Sequence, residues 1–488
     1  MEKFQGLYSR LNDRQKEAVD ALDCPVLVLA GPGTGKTQLL SVRAANIINS
    51  KKASPENILI VTFTNAAARE MRERIVNIVG RKGYDVVVET FHSFANSVVL
   101  ESEGALKYVK DKIEIGEVEK IRAFEYIMDN VKGVEPLRPF GSPYIHRSEI
   151  EKRISELKNE GISPKEFKES LKNVKADGTI VEDKDVQRLH ALAVIYEEYE
   201  RLKESENKKL FDERGRIDYD DMIIIALSAL RQDKDLADSF RKQFKYIMVD
   251  EYQDTNGAQL ELLFSILDPA APNICCVGDD DQAIYRFQGA TLSNFRILRE
   301  KLPKLKSVTL AENYRSEGNI IETARRIISL LPDKERIAVK NLKACRKYSG
   351  CDIRLVDFLT EEEELAFIVA EIKRQAGIIR NDMSLSEEDR DKPFNNIAVL
   401  VRKRSQILKV VKAFLLAGIP YATDGDEDIR QEKRVRQMLD VVDLAGVSPD
   451  DPESKSLILY KMLTADYIGA ELSDVLKIMD HVNKKRGV

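Results

Sequence analysis

Two segments constrain this chain more than anything else in it: Ala30-Gly-Pro-Gly-Thr-Gly-Lys-Thr37, and, far downstream, Tyr246-Ile-Met-Val-Asp-Glu-Tyr-Gln-Asp-Thr255. The first joins a short apolar run, Pro25 to Ala30, to a segment that reads as a helix from Thr37, so it predicts a strand, a tight loop and a helix in that order. Gly31, Gly33 and Gly35 let backbone N–H groups turn onto phosphate oxygens at a helix N-terminus, where the helix dipole also favours anions. Thr34 completes the cradle, Lys36 is placed for the β- and γ-phosphates of a nucleotide, and the Thr37 hydroxyl for magnesium. The second segment reads as a strand ending in Asp250 and Glu251. A carboxylate there can hold magnesium through water while its neighbour takes a proton from attacking water. A cradle alone binds; cradle and acidic pair together predict hydrolysis of a nucleoside triphosphate.

The chain has 488 residues, is 43% hydrophobic and carries a net charge of -5. That length can bury two or three cores, and the acidic balance means that any nucleic-acid partner is held by a local groove. The five cysteines, Cys24, Cys275, Cys276, Cys345 and Cys351, form no disulfide framework, which points to a reducing cytoplasm. No run approaches the length of a membrane span and the N-terminus has no signal-peptide profile.

Strand and helix patterns alternate over residues 1–100. Residues 101–215 turn charged and helix-periodic, with Ile150, Ile154 and Leu157 spaced for one apolar face. Strand patterns resume over 216–315, notably at 246–250, 273–278 and 307–310. A second α/β unit is expected over 316–425, with helices near 319–331 and 362–375, strands at 352–358 and 396–401, and a polar loop at 380–393. Residues 426–488 turn helical again.

Further motifs fall where strands are expected to end. They are Leu11-Asn-Asp-Arg-Gln-Lys-Glu-Ala18, Val61-Thr-Phe-Thr-Asn-Ala-Ala-Ala-Arg-Glu-Met71, Thr90-Phe-His-Ser-Phe94, Val277-Gly-Asp-Asp-Asp-Gln-Ala-Ile-Tyr-Arg-Phe-Gln-Gly-Ala290 and Leu310-Ala-Glu-Asn-Tyr-Arg-Ser316. With the phosphate loop and the Asp-Glu strand, this ordered set resembles the UvrD/Rep-type DNA helicases of superfamily 1. The resemblance implies an α/β RecA-like P-loop NTPase core (1–100 and 216–315) interrupted by a helical insertion (101–215). Part of a second RecA-like domain (316–425) and the start of a second helical insertion (426–488) would follow. It also implies ATP and Mg2+ as cofactors, single-stranded DNA and duplex junctions as partners, 3′ to 5′ movement, and a place in DNA repair or replication.

The resemblance assigns Gln15 to the adenine edge. Gln282 has a neutral amide suited to sensing the γ-phosphate, Tyr314 a ring for the adenine, and Arg315 a fixed charge for the transition-state phosphate. For DNA, Phe63, Phe91, Tyr285 and Phe287 are candidate stacking rings, and Thr64, Asn65, Thr90 and His92 candidate phosphate or sugar contacts. Ala66, Ala283 and Gln288 stand where the family usually has Lys, Ser and Arg. The family's later Gly-Leu-Glu-Phe-type and Thr-Arg-Ala motifs do not occur before Val488. The expectation is therefore a fragment, a truncated product, or a chain completed by a second polypeptide. An ATP- and DNA-binding remnant or regulatory subunit with little turnover is the alternative function. A small-molecule P-loop kinase fits worse, given the aromatic strand tips and the second α/β unit.

Overall fold

The structure is a computed structural model. It describes residues 2–173, 183–204, 211, 214–283, 293–330, 340–347 and 353–423, with isolated positions beyond 423. The chain divides into two compact units, Met1–Ile353 and Arg354–Val488.

The first unit is built on a parallel six-stranded sheet. Its strands are β1 (Val26–Ala30), β2 (Ile58–Thr62), β3 (Val87–Thr90), β6 (Tyr246–Val249), β7 (Ile274–Gly278) and β8 (Lys306–Leu310). They lie in the order β3-β2-β6-β7-β1-β8. β4 (Ile113–Glu114) and β5 (Arg216–Ile217) form a separate two-residue ladder where the chain leaves and re-enters the core. β9 (Glu312–Asn313) and β10 (Lys343–Ala344) form another. β1, β2, β6 and β7 are buried along their whole length because helices cover both faces, as parallel sheets require. Alternation along β1 sends Val26, Val28 and Ala30 to one core, under the helices Lys36–Asn49 and Asn65–Val79. Leu27 and Leu29 go to the other, under Phe91–Glu101, Asp221–Gln232 and Gly257–Ile266. β1 and β6 flank β7 inside the parallel sheet, which puts the phosphate loop and the Asp-Glu pair at the same edge, where open α/β sheets bind ligands.

The insertion has its own core, in which Phe124 stacks on Tyr199 with ring centroids 4.6 Å apart. Ile150 and Ile154 are buried within it and Leu157 packs against it, so the apolar face expected there forms. A buried ion cluster ties the insertion to the returning chain. Lys158 Nζ lies 2.6 Å from Asp218 Oδ2, 2.7 Å from Asp221 Oδ1 and 2.7 Å from Glu200 Oε1. Lys203 Nζ lies 2.6 Å from Asp221 Oδ2 and 3.0 Å from Asp218 Oδ2. Burial pushes the Asp218 carboxyl up, but Lys158 and Lys203 outweigh it and hold the group well below the ordinary carboxylate range. The oxygens of Glu200, Asp218 and Asp221 are close enough to hold a metal ion; the two ammonium groups already fill that position.

Three expectations change. The described residues of 352–358 and 396–401 form no strands: Ile397 and Val399 pack against the small core of the second unit, but Leu355 is 91% and Leu400 94% exposed, with no second sheet face to cover them. The expected loop at 380–393 is partly helical. Helix Glu361–Asn381 overruns its start, and Ser386 caps a short helix, Glu387–Asp391, by accepting from Asp389 N. The first compact unit also continues past residue 315, held by the β9–β10 ladder. In the second unit, Ile372, Phe414 and Ile419 make a small core between Glu361–Asn381 and helix Arg404–Ala417.

Candidate active site

The loop after β1 turns through two left-handed glycines, Gly33 (φ 69°) and Gly35 (φ 84°), the second of which opens the helix Lys36–Asn49. A Cβ on Gly33 would lie 2.7 Å from Arg315 Cβ, so glycine is needed there for space as well as for backbone angle. Thr34 is fully buried, with Oγ1 donating to Gly31 O at 2.8 Å. It braces the loop.

Lys36 reaches across to the end of β6, where its Nζ donates to Glu251 Oε2 at 2.7 Å. The two acids differ sharply. Asp250 is buried, and burial together with the neighbouring Glu251 pushes its carboxyl up to about 6, although Thr37 hydrogen-bonds it. Glu251 is half-open to the cleft and sits in the left-handed region at φ 48°, ψ 47°. Such a conformation costs on the order of 1–3 kcal/mol outside glycine, and it recurs at functional sites. Asp250 and Glu251 line a cleft of about 350 Å³ with Phe63, Asp254 and Gln282. A carboxylate buried without a full charge partner beside a threonine hydroxyl is a suitable oxygen pair for a hard divalent cation.

Several polar residues whose roles the motifs did not reveal hold these groups. Gln253 donates from Nε2 to Glu251 Oε2 at 2.8 Å, and its Oε1 accepts from Asp279 N at 2.9 Å. Gly278 is required beside it, since a Cβ there would lie 2.8 Å from Gln253 Oε1. Asp279 Oδ2 accepts from Gln282 Nε2. Asn313 is buried and clamps the loop after β8: Nδ2 donates to Pro32 O at 2.6 Å, and Oδ1 accepts from Arg315 N and Ser316 N. Burial raises the Asp254 carboxyl to about 7, with Glu251 adding to the effect. Gln253, Asp254, Asp279 and Asn313 all lie inside the motifs quoted above, but the motifs gave roles only to their neighbours.

The nucleotide-side candidates divide. Gln15 is buried, and both ends of its amide are engaged: Nε2 donates to Thr34 O at 2.9 Å and Oε1 accepts from Asn12 N at 3.0 Å. In this structure the Gln15 amide braces the phosphate loop. Tyr314 keeps an exposed ring, while its OH donates to Glu312 Oε2 and accepts from Asn12 Nδ2. Its N–H donates to Gly33 O at 2.9 Å. Arg315 is exposed directly over Gly33.

On the DNA side, Phe63, Thr64 and Asn65 are exposed at the tip of β2, although Thr64 Oγ1 also accepts from Ala67 N as a helix cap. Thr90 is buried and caps the next helix through Ser93 N. Phe91 is 4% exposed and part of the core, which removes it as a stacking platform. His92 stacks on Tyr219 at 3.8 Å between centroids, with Nε2 buried and unpaired. Burial lowers its imidazole to about 4, so it is neutral near pH 7 and offers no cation to a phosphate. Tyr285 and Phe287 lie outside the described residues.

A parallel sheet with a glycine loop, an adjoining lysine and an acidic pair at the same sheet edge, one strand removed, defines the class as a RecA-like P-loop NTPase fold. The chain belongs to the UvrD/Rep helicase family: the UvrD/REP helicase N-terminal domain matches residues 11–303 and the UvrD-like helicase C-terminal domain residues 308–486. Among its relatives, ATP-dependent DNA helicase PcrA of Staphylococcus epidermidis is 29% identical over 461 residues, covering 93% of this chain and 56% of the relative. ATP-dependent DNA helicase PcrA of Staphylococcus aureus is 28% identical over 484 residues, covering 98% and 59%. The chain thus spans under two thirds of the length of these relatives. Among the described residues no helix is long and apolar enough to cross a membrane.

Proposed function

We propose that this chain carries the ATP-binding and single-stranded-DNA-binding engine of a UvrD/Rep-type helicase or translocase, with 3′ to 5′ movement in DNA repair or replication. The observation that carries this reading is the contact between Lys36 and Glu251 across the ends of β1 and β6. A phosphate arriving on the loop competes for the same ammonium and releases the Glu251 carboxylate toward an attacking water. Thr37 and Asp250 would hold Mg2+, which supplies charge neutralisation for phosphoryl transfer. Gln282 senses the γ-phosphate, and Tyr314 and Arg315 close over the loop from the segment after β8. Single-stranded DNA crosses the tip of β2, where Phe63 offers a ring and Thr64 and Asn65 offer polar contacts. Tyr285 and Phe287 would extend that path.

The experiment is ATP turnover with and without single-stranded DNA. Turnover that rises on adding DNA is expected, because Phe63 and Thr64 at the tip of β2 line the same cleft as Asp250, Glu251 and Gln282. Turnover indifferent to DNA would sink the DNA reading.

A further inference from the structure

Lys340 is far from every motif, yet its side chain is 1% exposed, an uncommon position for lysine. Its Nζ lies 2.7 Å from Asp279 Oδ1 and 3.2 Å from Asp281 Oδ2 and also pairs with Asp280. Asp279 and Asp280 have fully buried side chains. These three consecutive aspartates form the turn that carries Gln282, whose N–H donates to Asp279 O at 2.9 Å.

The residues after Lys340 run back to the phosphate loop. A Cβ on Gly31 would lie 2.6 Å from Leu342 Cδ2, so Leu342 is seated directly on the loop. Lys343 and Ala344 pair with Glu312 and Asn313, and Asn313 clamps Pro32. From Lys340 inward, polar contacts are unbroken: Lys340 to Asp279, Asp279 N to Gln253 Oε1, Gln253 Nε2 to Glu251 Oε2, and Glu251 to Lys36. A branch at Asp279 Oδ2 holds Gln282 Nε2.

We propose that Lys340 is a positioning residue: through Asp279 it sets where the Gln282 amide and the Glu251 carboxylate stand relative to the bound phosphates. The proposal rests on the nucleotide-binding function given above. Removing the ammonium takes from the fully buried Asp279 carboxylate the cation that lies 2.7 Å from its Oδ1. Buried charges stripped of a partner relax by moving or by taking up protons, and either response displaces the turn bearing Gln282. Among the described residues every ion pair of Lys340 is to this turn, so its loss should disturb γ-phosphate sensing while leaving α- and β-phosphate binding on the loop intact.

The test uses the full chain with ADP and the non-hydrolysable β,γ-imido analogue of ATP as probes, in parent, Lys340→Met, Lys340→Arg and the double variant Lys340→Met/Asp280→Asn. The double variant lowers the negative charge of the turn and keeps the question answerable should the single variant fail to fold. The expected result is unchanged ADP affinity, a preference for the imido analogue reduced about tenfold or more, as for loss of a hydrogen bond to a charged group, and partial rescue by Lys340→Arg. Amide exchange at Asp281 and Gln282 should quicken while β7 stays protected. An unchanged preference for the analogue, or equal losses for both nucleotides, would overturn the proposal and leave Lys340 a support of the fold. A parent that prefers neither nucleotide overturns it as well. A parent that binds neither overturns the nucleotide-binding function itself, and this proposal with it.

Discussion

Glu251→Gln lowers ATP turnover by on the order of 10²–10⁴-fold, the usual contribution of a positioned general base, while ATP binding persists or tightens. The reason lies in the ion pair between Lys36 Nζ and Glu251 Oε2 at 2.7 Å. A neutral amide still fills the space and still accepts from Gln253, but it competes less well with phosphate for the ammonium. Affinity and turnover therefore move apart, as expected of a group that acts on the attacking water and makes no phosphate contact. Quench assays give the rate and calorimetry the affinity. Parental turnover in the variant would remove Glu251 from the role. The replacement candidate is then Asp254, which lines the same cleft and whose carboxyl burial lifts to about 7. Asp254→Asn would decide that case.

The second large effect is on stability. Lys158→Met should destabilise the first unit by about 3–5 kcal/mol, the range for breaking a buried ion pair by removing one partner. Lys158 faces Glu200, Asp218 and Asp221 at 2.6–2.7 Å, and its side chain is 3% exposed. Without it Lys203 alone must balance three carboxylates. The sign of the pH dependence follows. Asp218 is held below its ordinary range, so the stability it contributes is present above its unfolded pKa and lost as pH falls through the depressed folded value. With Lys158 gone the carboxyl rises, and that contribution shrinks at neutral pH. Urea denaturation at pH 7 measures the loss. A change under about 1 kcal/mol, the usual value of an exposed pair, would mean that water reaches the cluster.

The phosphate loop was readable in the sequence because its letters encode backbone demands. Gly33 and Gly35 sit where only left-handed angles close the turn, and no other residue fits between Gly33 and Arg315. Four of the six parallel strands, β1, β2, β6 and β7, were readable for a similar reason, since apolar runs such as Val26–Ala30 have to be buried on both faces. What escaped was pairing over distance. Lys340 and Asp279 become neighbours only after folding, and nothing local marks Gln253 or Asn313 as bracing residues. Aromatic letters at strand ends were ambiguous: Phe63 is exposed and Phe91 is core, although both directly follow a strand. Nothing in the sequence marked the Gln15 amide as a brace for the Thr34 carbonyl. The apolar segments around Leu355 and Leu400 have strand-like composition, but composition cannot provide a neighbouring strand.

The measurement that tests the account most directly is calorimetric titration of residues 1–488 with ATP and Mg2+, parent against Lys36→Ala. The account predicts binding by the parent that weakens about tenfold or more in the variant, as expected when a charge-assisted contact to phosphate is lost. Equal affinity in the two proteins would contradict it, because the loop between β1 and the helix Lys36–Asn49 would then not be where the nucleotide binds.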